Sequence, residues 1–554
     1  MNQNFKKIYE PFQLGQLSLK NRIVMAPMGT GYSGPNGSIS QRLIGYYEAR
    51  AQGGAGLIIV EGTAPGERCS SGSQLTLGND RNAEGWRELT GAVHKQGAKI
   101  AVQLMHGGWE IRDGKRVQVS PSPVIVRGRN IGLMGLPHEL TVAEIGEMVQ
   151  WYAAASVRAQ AAGFDGVEIH GAHQYIIASF LSSASNLRHD KYGGTFENKA
   201  RFAVEILQAI RRAVGAAYPV WIRLNAREYD VENGVTIEET KHIVPLLVDA
   251  GAQAIHVSAY GAGSYSTKAP LPDTPGFLLP LAAEVKKITS VPVLAVGRLN
   301  LEIGEQAVRD GKADLITLGR QLIVDPEIPN KTRDGRLDYI QPCIGCMVCI
   351  EKMSSTGRGM ACSINPVAGK ETEYRILPTM RKKTVAVVGG GPAGIEAAIV
   401  AALKGHKVVL FEKDKRLGGL LNVAALPPDK GDIVPWIKYL EQQIKNAGVE
   451  IRLGVETTWE DLKEIHPDAV VIATGGTPLI PEIPGLNARN AITAQDVLSG
   501  KVKTGQNVVI LGGGLVGCET GHYLASRGAK ITIIEVLGRI AGEMGPMVRR
   551  RLMD

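Results

Sequence analysis

Glu168 to Tyr175 read EIHGAHQY, which places two histidines and a tyrosine within six positions, directly after the apolar run FDGVEI. An imidazole donates or accepts hydrogen bonds near neutral pH, and a phenol keeps its proton to about pH 10. Such a set can polarise a carbonyl group and then deliver a proton beside it. We expect His170 and His173 to donate hydrogen bonds to a substrate carbonyl oxygen, where negative charge develops, and Tyr175 to protonate the neighbouring carbon. The same residues would also suit a histidine-capped turn over a core tyrosine. The fold around them decides between the two.

A second group is CIGCMVCIEKMSSTGRGMAC, in which Cys343, Cys346 and Cys349 are followed by Cys362. Structural zinc prefers two separated cysteine pairs, whereas three closely spaced thiolates and a remote fourth suit the corners of a [4Fe–4S] cluster. A disulfide framework does not fit a chain without secretory features. The third group consists of two glycine loops. In TVAVVGGGPAGIEAAIVAALKGHKVVLFEK, Gly389, Gly391 and Gly394 follow a strand and open a helix, and Glu412 closes the next strand. NVVILGGGLVGCETGHYLASRGAKITIIEV repeats this with Gly512, Gly514, Gly517 and Glu535. The glycines permit a tight turn and close approach of a pyrophosphate, and the acid can hold ribose hydroxyls, so two dinucleotide sites are expected.

The elements that carry these groups follow one rhythm. IVMAP, LIIVEG, KIAVQL, FDGVEI, VWIRLN, AIHVSA, VPVLAVG and DLITLG are short β-branched runs, separated by helical patterns such as TVAEIGEMVQWYAAASVRAQAAG. Eight such units predict an α/β fold with an N-terminal (β/α)8 TIM barrel, whose chemistry sits at the C-terminal ends of the strands. His170, His173 and Tyr175 then crown the fourth strand, with Glu61, Gln103, Arg223, Ser258, Arg298 and Arg320 at equivalent places. Strands seven and eight end in VGR and LGR, where barrels often hold a phosphate. The expected boundaries are 1–335 for the barrel, 336–378 for the cluster segment, and two Rossmann-like domains over 379–500 and 501–554. The chain ends at Asp554, nineteen residues after Glu535, before the last sheet could be complete, so a truncated domain or a fragment is expected.

With 62 basic and 54 acidic residues the net charge is +8, but both signs are interspersed along the 554 residues. That argues against nucleic acid as a partner and for small anionic ligands. No N-terminal signal region and no apolar run of about 18 residues occurs, so no membrane span and a cytoplasmic protein are expected.

Together, APM near the start, HGAHQY, HDKYGGTFENKARF, the cysteine set and VVGGGPAG resemble the Old Yellow Enzyme-like NADH:flavin oxidoreductases that join a barrel, an iron–sulfur segment and FAD/NAD domains. These include the 2,4-dienoyl-CoA reductase, 2-enoate reductase, 2-naphthoyl-CoA reductase and trimethylamine dehydrogenase types. The resemblance covers the whole chain. It implies FMN on Pro27, Met28, Gln103, Arg223, Gly297, Arg298, Gly319 and Arg320, the last four around its phosphate. It implies FAD on the first glycine loop with Glu412, and NADH on the second, where Glu535 would oppose the 2′-phosphate of NADPH. Electrons would pass from NADH through FAD and the [4Fe–4S] cluster to FMN, and as hydride to an activated alkene. The implied substrate is a small molecule, a carboxylate or an acyl-CoA thioester, with a cyclic enone also open, and a homo-oligomer is compatible with the reading.

The family divides, and this sequence points both ways. The loop APMGTGYSG has no cysteine for a covalent flavin, and His170 stands where the amine dehydrogenases carry tyrosine. The cysteine spacing nevertheless resembles theirs. The loop SAYGAGSYSTKAP after strand six lacks the histidine of the dienoyl-CoA reductases, so either Tyr260 or Tyr265 substitutes or the substrate needs no second proton donor there. Ene-reduction is the leading expectation, and amine oxidation with transfer to an external carrier is the alternative.

Overall fold

The computed structural model describes residues 3–70, 74–126, 135–355, 357–486, 488 and 490–553. It divides into two compact units. One comprises the chain to Arg336 together with Met347–Glu373, and the other Leu337–Cys346 together with Tyr374–Met553.

In the first unit, the β-branched runs form strands β1 (Ile23–Met25), β2 (Leu57–Thr63), β3 (Lys99–Leu104), β4 (Gly166–Gly171), β5 (Val220–Tyr229), β6 (Ile255–Gly261), β7 (Val293–Ala295) and β8 (Leu315–Leu318). They pair in chain order and in parallel, with β8 against β1, to close a barrel. All eight strands expected from the sequence are present. Threonine caps start two of the intervening helices with a capping box: Thr141 and Thr236 each pair with the glutamate three residues on, which satisfies N–H groups that have no partner within the helix.

Alternation along the strands layers the interior. A hairpin of Phe12–Leu14 and Leu17–Leu19 supplies Leu14, Leu17 and Leu19 to a core shared with Val24, Leu57, Ile59, Ala101, Trp221, Ala254, Leu294 and Leu315. Side chains two residues further along a strand share its face. Glu61, Gln103, Arg223, His256 and Thr317 therefore follow above the apolar layer. All are buried.

The stretch after Met347 folds back onto the β1 loop. The Met360 N–H donates to the Thr30 carbonyl at 2.7 Å, Tyr32 Oη donates to the Met360 carbonyl at 2.7 Å, and Arg50 pairs with Glu371.

In the second unit, β9 (Thr384–Val388), β10 (Lys407–Glu412), β11 (Glu450–Leu453) and β12 (Ala469–Ile472) make a parallel sheet in the order β11-β10-β9-β12. Ala386, Val409, Phe411 and Leu462 form its core. A parallel pair, β13 (Asn507–Leu511) and β14 (Lys530–Ile534), carries the second glycine loop. Among the described residues no helix is long and apolar enough to cross a membrane.

Candidate active site

β4 ends in Glu168 and His170 on its inner face and turns at His173 and Gln174, both left-handed with φ of 56° and 59°. Consecutive left-handed residues other than glycine are uncommon and need outside support. Asn225 on β5 gives it, accepting the His173 N–H on Oδ1 at 3.0 Å. Tyr175 then precedes the helix Ile176–Leu181.

The turn gathers three rings. His170 meets His173 edge to face at 5.0 Å between centroids, and meets Tyr175 at 4.8 Å. The Ala172 N–H donates to His170 Nδ1 at 3.2 Å, so Nδ1 is the acceptor and the ring hydrogen sits on Nε2. His173 Nε2 lies 2.7 Å from Ser258 Oγ on β6, an oxygen that accepts from Arg223 Nη2 at 3.2 Å. Burial, followed by the Arg223 charge, holds both imidazoles well below their ordinary pKa, so they are neutral. Burial raises the Tyr175 phenol, with Arg223 opposing. Two neutral rings and a protonated phenol converge beside a fixed positive charge, an arrangement suited to stabilising an oxyanion and supplying a proton.

The residues expected around a flavin fall at the same mouth. Pro27 and Met28 follow β1, and a Cβ on Gly319 would lie 3.2 Å from Met28 Sδ, so the two loops touch. Gly297 after β7 has φ of 120°, and a Cβ there would come within 2.9 Å of Leu278, which leaves room only for glycine. Arg298 follows with φ of 53°. Arg320 opens the helix Arg320–Val324, and its Nη2 donates to the Pro272 carbonyl at 2.7 Å. Arg223 Nε and Thr317 Oγ1 are buried without a hydrogen-bond partner among the described residues, as donors completed by a bound group would be. The residues present fit an FMN.

Two of the expected mouth residues have other work. Glu61 accepts from the Thr30 N–H and, at 2.6 Å, from Thr30 Oγ1, which ties down the β1 loop, and burial raises its carboxyl to about 7. Tyr265 stacks on Tyr229 at 5.0 Å and 15°. Sequence reading gave no role to Glu168, His256, Trp221 or Asn225. All four lie on inward-facing strand positions, a signal that was readable from alternation.

Both nucleotide loops have the required backbone. Gly389 and Gly512 have φ of 110° and 99°, and a Cβ on Gly394 or Gly517 would strike the Gly389 or Gly512 carbonyl. Gly391 faces open space. Glu412 accepts the Gly390 N–H at 2.6 Å and the Asp414 N–H at 2.8 Å, and Glu535 accepts those of Gly513 at 2.7 Å and Leu537 at 2.8 Å. Each carboxylate thus fastens its own loop and retains lone pairs for a ribose. At Gly514, the helix that follows begins with the Leu515 N–H donating to Glu543.

Cys343 and Cys346 belong to the second unit, and Cys349 and Cys362 to the first. None forms a disulfide. Among the described residues no group of three or more His, Cys, Asp or Glu is arranged to hold a metal ion. Left-handed Gly345 and Met347, with φ of 66° and 64°, bend the loop.

Residues 7–338 match the NADH:flavin oxidoreductase / NADH oxidase family, and 383–554 match pyridine nucleotide-disulphide oxidoreductase. The chain belongs to the NADH:flavin oxidoreductase / NADH oxidase family. An NADH oxidase of Thermoanaerobacter brockii is 44% identical, covering all of this chain and 86% of the relative. A cinnamate reductase of Clostridium sporogenes is 36% identical, over 99% of this chain and 85% of the relative. The structure of 2-naphthoyl-CoA reductase with 2-naphthoyl-CoA superposes with a TM-score of 0.92 at 31% identity, covering 99% of this chain and 86% of that one. This family member is therefore a flavin-dependent oxidoreductase built on the barrel and nucleotide domains foreseen from its sequence.

Proposed function

We propose that this chain reduces an activated carbon–carbon double bond, conjugated to a carboxylate or an acyl thioester, at the expense of NADH. The observation that carries this is the pairing of His170, neutral and with its hydrogen on Nε2, with Tyr175, which burial keeps protonated. His170 and His173 would hold the substrate carbonyl, withdrawing electron density from the β-carbon and stabilising the enolate oxygen. Tyr175 would give its proton to the α-carbon. Arg223 would keep positive charge beside the reacting edge. The names of two relatives, a cinnamate reductase and a 2-naphthoyl-CoA reductase, support a substrate with unsaturation next to a carbonyl.

The cofactors in this reading are FMN on Pro27, Met28, Gln103, Arg223, Gly297, Arg298, Gly319 and Arg320; FAD on Gly389, Gly391, Gly394 and Glu412; NADH on Gly512, Gly514, Gly517 and Glu535; and [4Fe–4S] on Cys343, Cys346, Cys349 and Cys362. When bound, the flavins supply hydride chemistry and the cluster single-electron transfer, in the order NADH, FAD, cluster, FMN. The cysteine spacing favours a second reading, amine oxidation. NADH-reduced protein, held anaerobically, is offered enoates, enoyl-CoA thioesters and aromatic acyl-CoAs, and oxidised protein is offered amines. Flavin reoxidation by an unsaturated acid or thioester supports ene-reduction. Bleaching by an amine, with no response to any alkene, would refute it.

A further inference from the structure

Beneath the mouth lies a carboxylate that the chemistry above does not use. Glu168 is fully buried inside the barrel. Its Oε1 accepts from Gln103 Nε2 at 2.7 Å, and its Oε2 accepts from Trp221 Nε1 at 2.7 Å and lies 2.7 Å from His256 Nδ1. Burial opposes the charge, but His256, the Arg223 charge and the indole donor outweigh it and leave the carboxyl below its ordinary range. Burial, against Glu168, keeps His256 below its own ordinary value, so the neutral ring donates from Nδ1. A buried anion is costly unless it is paired and hydrogen-bonded, and here four neighbours on β3, β5 and β6 serve that end.

This arrangement has two effects on the groups above it. Because Gln103 gives its nitrogen to Glu168, its Oε1 is the end left to accept from a ligand. Arg223 lies one pleat above, paired across the strands with His170 and His256, and Glu168 is the carboxylate that favours its charge. Both Gln103 and Arg223 belong to the proposed flavin site, so the inference rests on that placement and not on the identity of the substrate.

We propose that Glu168 is a positioning residue of the flavin site: it orients the Gln103 amide to present its oxygen and offsets the Arg223 charge, thereby setting how readily the bound FMN accepts electrons. An anion next to a redox centre opposes electron gain. Removing it makes the centre easier to reduce, while losing the Gln103 orientation weakens the hold on the flavin.

The test uses the anaerobic holoprotein, with FMN and FAD released and quantified first. A parent protein without FMN would overturn the placement in the preceding reading. With FMN present, dye-coupled reductive titration compares the parent with Glu168→Gln, and the FAD couple serves as an internal reference. The expected result is an FMN reduction constant at least about tenfold larger, about 30 mV for a two-electron couple, with FAD unmoved. Glu168→Asp keeps the anion but shortens its reach, so the FMN couple stays within about threefold of the parent while FMN binds several-fold more weakly. An FMN couple in Glu168→Gln within about threefold of the parent overturns the proposal. If that variant does not fold, Glu168→Asp decides, because unchanged FMN affinity or a tenfold shift of the couple would overturn the proposal equally.

Discussion

The rings of His170 and Tyr175 stand edge to face, with centroids 4.8 Å apart and planes at 77°. Burial raises the pKa of this phenol, so it is protonated throughout the neutral range. Tyr175→Phe removes the hydroxyl and keeps the ring packing. We expect carbonyl-ligand binding and flavin reduction by NADH to persist while alkene reduction slows by roughly 10²–10⁴-fold, the range for losing a positioned acid. His170→Ala should weaken ligand binding and slow substrate reduction together. Stopped-flow measurement of flavin oxidation, with ligand titration by absorbance, separates the two variants. Near-parent rates in both would leave the turn purely structural.

Strand count, barrel closure and the two glycine loops were legible because each depends on local pattern: apolar period, caps and glycines. The site was legible only in outline. That His170 and Tyr175 share a mouth followed from their place after the fourth strand, but that Glu168 faces Gln103, Trp221 and His256 requires strands far apart in sequence to be in register. Glu61 illustrates the limit. Its position marked it as a mouth residue, whereas its carboxylate is committed to Thr30, a partner 31 residues away that no spacing rule identifies.

Acid should loosen the barrel. Burial lowers His170, His173 and His256 below the ordinary 6.5, so the unfolded chain takes up protons that the folded chain refuses. Their stability contribution is present above the unfolded value and is lost as the pH falls toward the folded ones. Glu61 acts oppositely: its carboxyl, raised to about 7, stabilises at low pH and loses that effect as the pH rises through about 7. With three histidines against one carboxyl, we expect a lower denaturant midpoint at about pH 5.5 than at about pH 7.5, and a larger drop in Glu61→Gln. A midpoint that rises on acidification contradicts this.

The cysteine loop makes a compositional prediction. Anaerobically purified protein should carry about four irons per chain. Cys346→Ala should lose the cluster and abolish NADH-driven substrate reduction while the FAD is still bleached by NADH. Iron assay and single-turnover absorbance measure both. Undiminished NADH-linked turnover in an iron-free variant would show that the cluster takes no part.

Nucleotide choice follows from Glu535. Its carboxylate accepts the Leu537 N–H at 2.8 Å and the Gly513 N–H at 2.7 Å, and these donors hold its pKa below the ordinary range, so it is anionic at all working pH values. A carboxylate oxygen pair offers about four acceptor positions. Two are taken by the backbone, and the others suit ribose hydroxyls. A 2′-phosphate in the same place would add nearly two negative charges against this one, a repulsion that solvent screens at this exposed site but that still disfavours the phosphorylated nucleotide. We therefore expect kcat/KM for NADH to exceed that for NADPH by at least about tenfold, and Glu535→Gln, which keeps an acceptor but removes the charge, to narrow the gap several-fold at low ionic strength and less at high salt. Steady-state flavin-linked turnover with both donors at two salt concentrations measures it. Parent protein that uses NADPH as well as NADH would mean that Glu535 only fastens the Gly513 loop and does not read the ribose.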